Sequence, residues 1–123
     1  FARTVGMNVL DSVGSPQSLL SSIARVLQPD GSALLACPYD WTATVTPIEA
    51  WIGGHSQRNQ AAGECAPWLR QLLNAANANT TEPALQLVSE LDGLPWTVRL
   101  HDRSSMRYRV HLVHARRNAR ESR

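Results

Sequence analysis

"SVGSPQSLLSSIARVLQPDGSALLAC", residues 12–37, decides the fold class. Ser15 stands where a helix N-cap is wanted, and Pro16 follows at the first helical position, where its missing N–H costs nothing. Leu19, Leu20, Ile23, Val26 and Leu27 then recur with helical spacing as one apolar stripe. Pro29 cannot continue the helix, and Asp30-Gly31 supplies a turn. The apolar run Ser32–Cys37, bounded by Gly31 and Pro38, is short enough to be a buried strand. Upstream, Thr4–Met7 is a second short, mostly apolar stretch and predicts the strand before the helix. Strand, amphipathic helix, strand is the unit of a parallel α/β sheet.

Downstream, "CPYDWTATVTPIEAWIGGHSQR", residues 37–58, gathers two tryptophans, a tyrosine, carboxylates and a histidine into one irregular loop. Within it "TPIEAWIGG" predicts a small helix: Thr46 caps, Pro47 starts, Glu49 completes a capping box and Gly53-Gly54 stop it. A second helix is expected over 67–74, with Trp68, Leu69, Leu72 and Leu73 on one face. A third is expected from Pro83, with Leu85, Val88 and Leu91 at helical spacing, and the polar segment 74–82 links the two. The end reads as a hairpin. "WTVRLHD" and "SMRYRVHLVHA" alternate apolar and polar residues around the turn "DRSS".

Hydrophobic residues make up 43% and charged residues 18% of the 123, a globular balance that excludes general disorder and bounds the chain at one domain. No apolar run reaches the length of a membrane span and no signal-peptide pattern occurs, so a cytoplasmic protein is expected. The net charge of +2 is too small to argue for nucleic acid, even though every basic side chain is arginine and Arg99, Arg103, Arg107 and Arg109 lie close together. Arg116, Arg117, Arg120 and Arg123 fall in a polar segment, so 116–123 is expected to be a solvated basic tail behind a domain spanning 1–115. Cys37 and Cys65 have no metal-ligand spacing and read as reduced thiols. His101, His111 and His114 read as surface or pairing residues of an edge hairpin, and no metal site is expected. The chain opens at Phe1, and its first methionine, Met7, lies inside the expected first strand, as in a piece of a longer polypeptide.

The stretch "NVLDSVGSPQSLLSSIARVLQPDGSALLACPYDW" resembles the region from fourth to fifth strand of class I S-adenosylmethionine-dependent methyltransferases. In that family an Asn-x-Leu/Ile-Asp follows the fourth strand, as Asn8-Val9-Leu10-Asp11 does here. The resemblance covers nearly the whole chain and implies the C-terminal half of a Rossmann-like sheet, parallel strands followed by an antiparallel edge hairpin. "PYDWTATVTPIEAWIGG" is most similar to the methyltransferase domain of ovothiol biosynthesis, which methylates a mercaptohistidine ring nitrogen. The family's glycine-rich cofactor loop and its ribose-binding acidic residue belong to earlier strands and have no counterpart here, so this chain alone is expected to be inactive and to form half a site.

On this reading both strand ends open on one rim, where ligands of parallel sheets bind. The resemblance makes Asn8 and Leu10 candidates for cofactor contact, and Asn8 offers both a donor and an acceptor there. Tyr39, Trp41 and Trp51 provide faces for a sulfonium neighbour or a flat substrate ring. Asp11, Asp40 and His55 are candidates to orient the acceptor or take its proton. Plainer readings stand beside these. Asp11 can begin the turn into the helix, Trp51 can be core, and His55 can be solvated beside its glycines. The implied activity is methyl transfer to a small molecule such as an imidazole or amino-acid derivative. The alternative is a non-catalytic module that pairs through its exposed first strand with another chain or with itself.

Overall fold

The computed structural model describes residues 1–52, 65–74 and 82–119. Six regular elements follow one another: β1 (Arg3–Met7), α1 (Pro16–Val26), β2 (Ser32–Cys37), α2 (Ala66–Leu72), β3 (Leu85–His101) and β4 (Ser104–Arg117). The four strands form one sheet in the order β1-β2-β4-β3. β1 and β2 are parallel, from Arg3 beside Ser32 to Met7 beside Ala36, and the other two pairings are antiparallel. The chain is thus α/β with a mixed sheet, as the β-α-β unit and the terminal hairpin predict.

α1 begins as expected, with the Ser18 N–H donating to the Ser15 hydroxyl and Pro16 in the first turn. Leu20, Ile23, Ala24 and Leu27 pack on Ala33, Leu35 and Cys37 of β2 and on Val113 and Ala115 of β4, while Val26 points to solvent. α2 adds Leu69 and Leu73 to the same core, but its Trp68 and Leu72 are exposed. All of this packing lies on one face of the sheet. The register carries two rows across the other face: Val5, Leu34 and His114, then Met7, Ala36, Leu112 and Leu91. Val5 and Leu91 are 63% and 59% exposed, and among the described residues no helix packs on this second apolar face.

Three expectations are corrected. The segment from Pro83 is not a helix: Leu85 opens the 17-residue strand β3. Its pairing with β4 slips between Leu87 and Ser89 and again between Leu91 and Leu94. The first slip leaves Val88 between the paired Leu87 and Ser89 and turns the residues beyond it to the other face, so Leu85 is buried while Val88 and Leu91 are exposed, and their three-residue spacing only mimics a helix. Gly93, at φ +75° in the second bulge, takes a left-handed conformation suited to glycine. Arg116 and Arg117 are strand residues, not tail: Arg116 pairs with Ser32, and the Arg117 guanidinium donates to the Leu27 carbonyl. Asn118, which is buried, closes the start of β3 through bonds to Glu82 and Ala84. Finally, the small helix after Thr46 is a single 3₁₀ turn, Ile48–Ala50, without a side-chain cap. The buried Thr46 hydroxyl instead donates to the Val13 carbonyl, tying the loop to the segment that leads into α1.

β4 lies inside the sheet, between β2 and β3. β2 pairs with it only over His111–Arg116, so the hairpin projects beyond β2 as a two-stranded ribbon. One side of the ribbon carries Trp96 stacked on Tyr108, with Val98 beside Met106, and the other carries Arg99, Arg107 and Arg109.

Candidate functional site

The carboxyl ends of β1 and β2 meet through a side chain. Asp11, in the 3₁₀ turn Leu10–Ser12, is buried, and its Oδ2 accepts the Asp40 N–H at 2.7 Å. Ser12 Oγ donates to Oδ1 of the same carboxylate at 3.3 Å. The two stretches are 29 residues apart in sequence, and one hydrogen bond fixes them to each other. Asn8 and Tyr39 stand where the chain leaves each strand, both at positive φ, 58° and 56°. For an aromatic residue this is a costly conformation, held by its surroundings. The Asn8 N–H donates to the Ala36 carbonyl at 2.6 Å, and the Tyr39 N–H donates to Cys37 Sγ at 3.3 Å.

Behind that turn the loop's aromatic residues form a ladder. Tyr39 and Trp41 lie with ring centroids 6.2 Å apart and planes 22° from parallel, and Trp41 and Trp51 follow at 6.1 Å and 15°. The indole N–H groups are both engaged: Trp41 donates to Cys65 Sγ and Trp51 to the Thr46 carbonyl. So many aromatic residues occupy one loop because they stack on one another along the rim. Asp40 is exposed beside them and accepts a hydrogen bond from the Tyr108 hydroxyl of the ribbon at 3.2 Å.

The structure brings together Asn8, Asp11, Tyr39, Asp40, Trp41 and Trp51. It places Leu10 differently: that side chain is 2% exposed within the core, so it supports the turn from beneath. His55 lies outside the described residues.

Sequence reasoning missed the most connected residue. His111, expected at the surface of an edge hairpin, is 2% exposed and faces the site. Because β4 adjoins β2, His111 pairs with Cys37, two residues before Tyr39. Its Nδ1 is 2.6 Å from the Tyr39 hydroxyl and its Nε2 is 2.8 Å from Glu90 Oε2. The other oxygen of Glu90 accepts from Arg70 Nε at 2.6 Å. Tyr39, His111, Glu90 and Arg70 thus form one continuous chain from four segments of the fold. A signal was present in the strand: positions 107 and 109 are arginines, while 113 and 115, on the same alternation, are valine and alanine. His111 sits where that phase changes from solvent to core.

Burial pushes Glu90 up, but hydrogen bonds from Arg70 and His111 outweigh it and hold the carboxyl below the usual range. Burial also raises the Tyr39 hydroxyl, with nearby acidic groups adding to it. Cys37 is pushed up to about 12 and Cys65 is raised, in both cases chiefly by burial, so neither is a ready thiolate. Beside Tyr39 an open groove of about 460 Å³ is lined by Cys65, Ala66, Pro67, Arg70, Asp92 and Arg109. Among the described residues no group of three or more His, Cys, Asp or Glu side chains is arranged to hold a metal ion, and no helix is long and apolar enough to cross a membrane. No family model and no curated protein matches the chain.

Proposed function

We propose that this chain is the C-terminal half of an S-adenosylmethionine-dependent methyltransferase that acts on a small molecule. The observation that carries the reading is the rim: Asn8–Asp11 and Tyr39–Trp41 emerge at the carboxyl ends of two adjacent parallel strands, joined by the bond from Asp11 to the Asp40 amide. The exposed sheet face agrees with it. Parallel strands are normally covered on both faces, and here Val5 and Met7 of the parallel pair are exposed.

S-adenosylmethionine would supply a methyl group already activated on a sulfonium sulfur. The residues that would meet it are those of the rim, and the stacked faces of Tyr39, Trp41 and Trp51 suit a cation or a flat ring. What the chain itself contributes is alignment. Asp11 holds the Asp40 segment, the aromatic ladder shapes a wall, and Asp40 presents a carboxylate for a polar group of the acceptor. The test is ultraviolet cross-linking of methyl-labelled S-adenosylmethionine to the product of the complete reading frame. Label in the peptides holding residues 8–12 or 37–41 is expected. Label confined elsewhere would overturn the placement.

A second reading rests on a separate observation. β1 is an edge strand whose Val5 and Met7 are exposed, and such an edge can pair with another chain in a purely structural assembly. A folded complete product that associates through β1 yet takes no label would favour it.

A further inference from the structure

We propose that Tyr39 and His111, held by Glu90, form a proton-accepting relay that opens on the groove beside Tyr39, and that this relay takes the proton released when a protic nitrogen acceptor is methylated. The assignment rests on the methyltransferase reading for its chemistry, but its geometry stands independently.

The direction of the relay follows from its far end. Glu90 is held ionised by Arg70 and His111, and an ionised carboxylate can only accept. His111 Nε2 therefore carries the proton it shares with Glu90 at 2.8 Å. In the neutral ring that leaves Nδ1 as the acceptor, so the Tyr39 hydroxyl donates to it across 2.6 Å. The bonds from Tyr39 to His111 and from His111 to Glu90 then point the same way, toward the carboxylate, which Arg70 meets with its own donor from the other side.

The transfer balances. The acceptor nitrogen's lone pair forms the new bond to the methyl carbon as the carbon–sulfur bond breaks toward sulfur, leaving a neutral thioether. The nitrogen's proton passes to the Tyr39 oxygen while the Tyr39 proton moves to His111 Nδ1. The positive charge first on sulfur thus ends on the imidazolium, beside the Glu90 carboxylate. Burial disfavours a free phenolate at Tyr39, and in this exchange the phenol stays neutral throughout. Among the described residues, Glu90 and Asp92 of β3, Arg70 of α2, Arg109 of β4 and the thiols of Cys37 and Cys65 are titratable groups around it. His111 is itself sealed from solvent, so a ligand in the groove reaches it through Tyr39, while Glu90 and Arg70 carry the other end to the surface.

The test is nuclear magnetic resonance of the chain with ¹⁵N-labelled histidine, using imidazole as the smallest flat probe that bears an N–H. The expected spectrum has His111 protonated at Nε2, with an Nδ1 resonance displaced by an accepted hydrogen bond. Tyr39→Phe should move that resonance toward the free-acceptor position. Added imidazole should shift it in the parent chain and leave it unmoved in Tyr39→Phe. Should Tyr39→Phe fail to fold, Glu90→Gln serves instead and should raise the share of the Nδ1–H form. A parent ring protonated at Nδ1 when neutral, an Nδ1 resonance indifferent to both substitutions, or no response of the parent to imidazole would each overturn the relay. These signals do not depend on S-adenosylmethionine. An intact relay in a product that binds no cofactor analogue sinks the methyltransferase reading alone, and cofactor binding with an Nδ1–H ring sinks the relay alone.

Discussion

Asp11 shows how a single residue can be both structural and part of a site. Its carboxylate is buried, yet it serves the Asp40 amide and the Ser12 hydroxyl, so Asp11→Ala leaves a donor unpaired at the rim. The expected cost is about 1–3 kcal/mol, read from urea unfolding, with Asp11→Asn milder. Equal stability of Asp11→Ala and the parent would contradict the bond's role. Glu90 gives a prediction with a sign. Its folded carboxyl is held below the ordinary range, so its stabilisation is present above the usual glutamate value and is lost as pH falls through the lowered one. Glu90→Gln should therefore flatten the acid limb of the stability–pH curve below about pH 4, and parallel limbs would refute it. Cys37, raised to about 12 by burial, should resist alkylation at neutral pH until the chain unfolds. At this scale the sequence revealed what sits beside a strand end, namely Asn8, Asp11, Tyr39, Asp40 and Trp41. It concealed His111, Glu90 and Arg70, because their nearness to Tyr39 depends on which strand adjoins β2.

Elements with local punctuation were legible, and those shaped by bulges were not. α1 announces itself through Ser15, Pro16 and an apolar stripe, and Ser15→Ala should cost about 0.5–2 kcal/mol by thermal or chemical unfolding. A loss below a tenth of that would mean the cap is idle. β3 misleads because the slip in pairing between Leu87 and Ser89 breaks its period of two and leaves an apparent period of three. The turn after Thr46 misleads differently. Thr, Pro and Glu sit at capping-box positions, but the Thr46 hydroxyl is taken by Val13, and a tertiary bond overrides the local pattern. The extent of β4 was underestimated for the same kind of reason: arginines at 116 and 117 look like tail until Ser32 and Leu27 are found beside them.

For the molecule as a whole, the described residues cover the sheet on one face only, and β1 and β3 are its two edges. The core side is closed by α1 and α2, while on the opposite face Val5, Met7 and Leu91 are exposed and, among the described residues, nothing pairs with the outer edge of β1. Burying such side chains is worth roughly 1.5–3 kcal/mol each, so the isolated chain should self-associate through this surface. Val5→Lys with Met7→Lys should shift it toward monomer in sedimentation velocity without changing its far-ultraviolet dichroism. An unchanged distribution would contradict that. The same surface bears on the central claim, that the rim at the ends of β1 and β2 is half of a site for S-adenosylmethionine. The direct measurement is calorimetric titration of S-adenosylhomocysteine into the folded chain and into the product of the complete reading frame. The account predicts no binding to the chain alone and micromolar binding to the complete product. Micromolar binding by the chain alone, or none by a folded complete product, would contradict it.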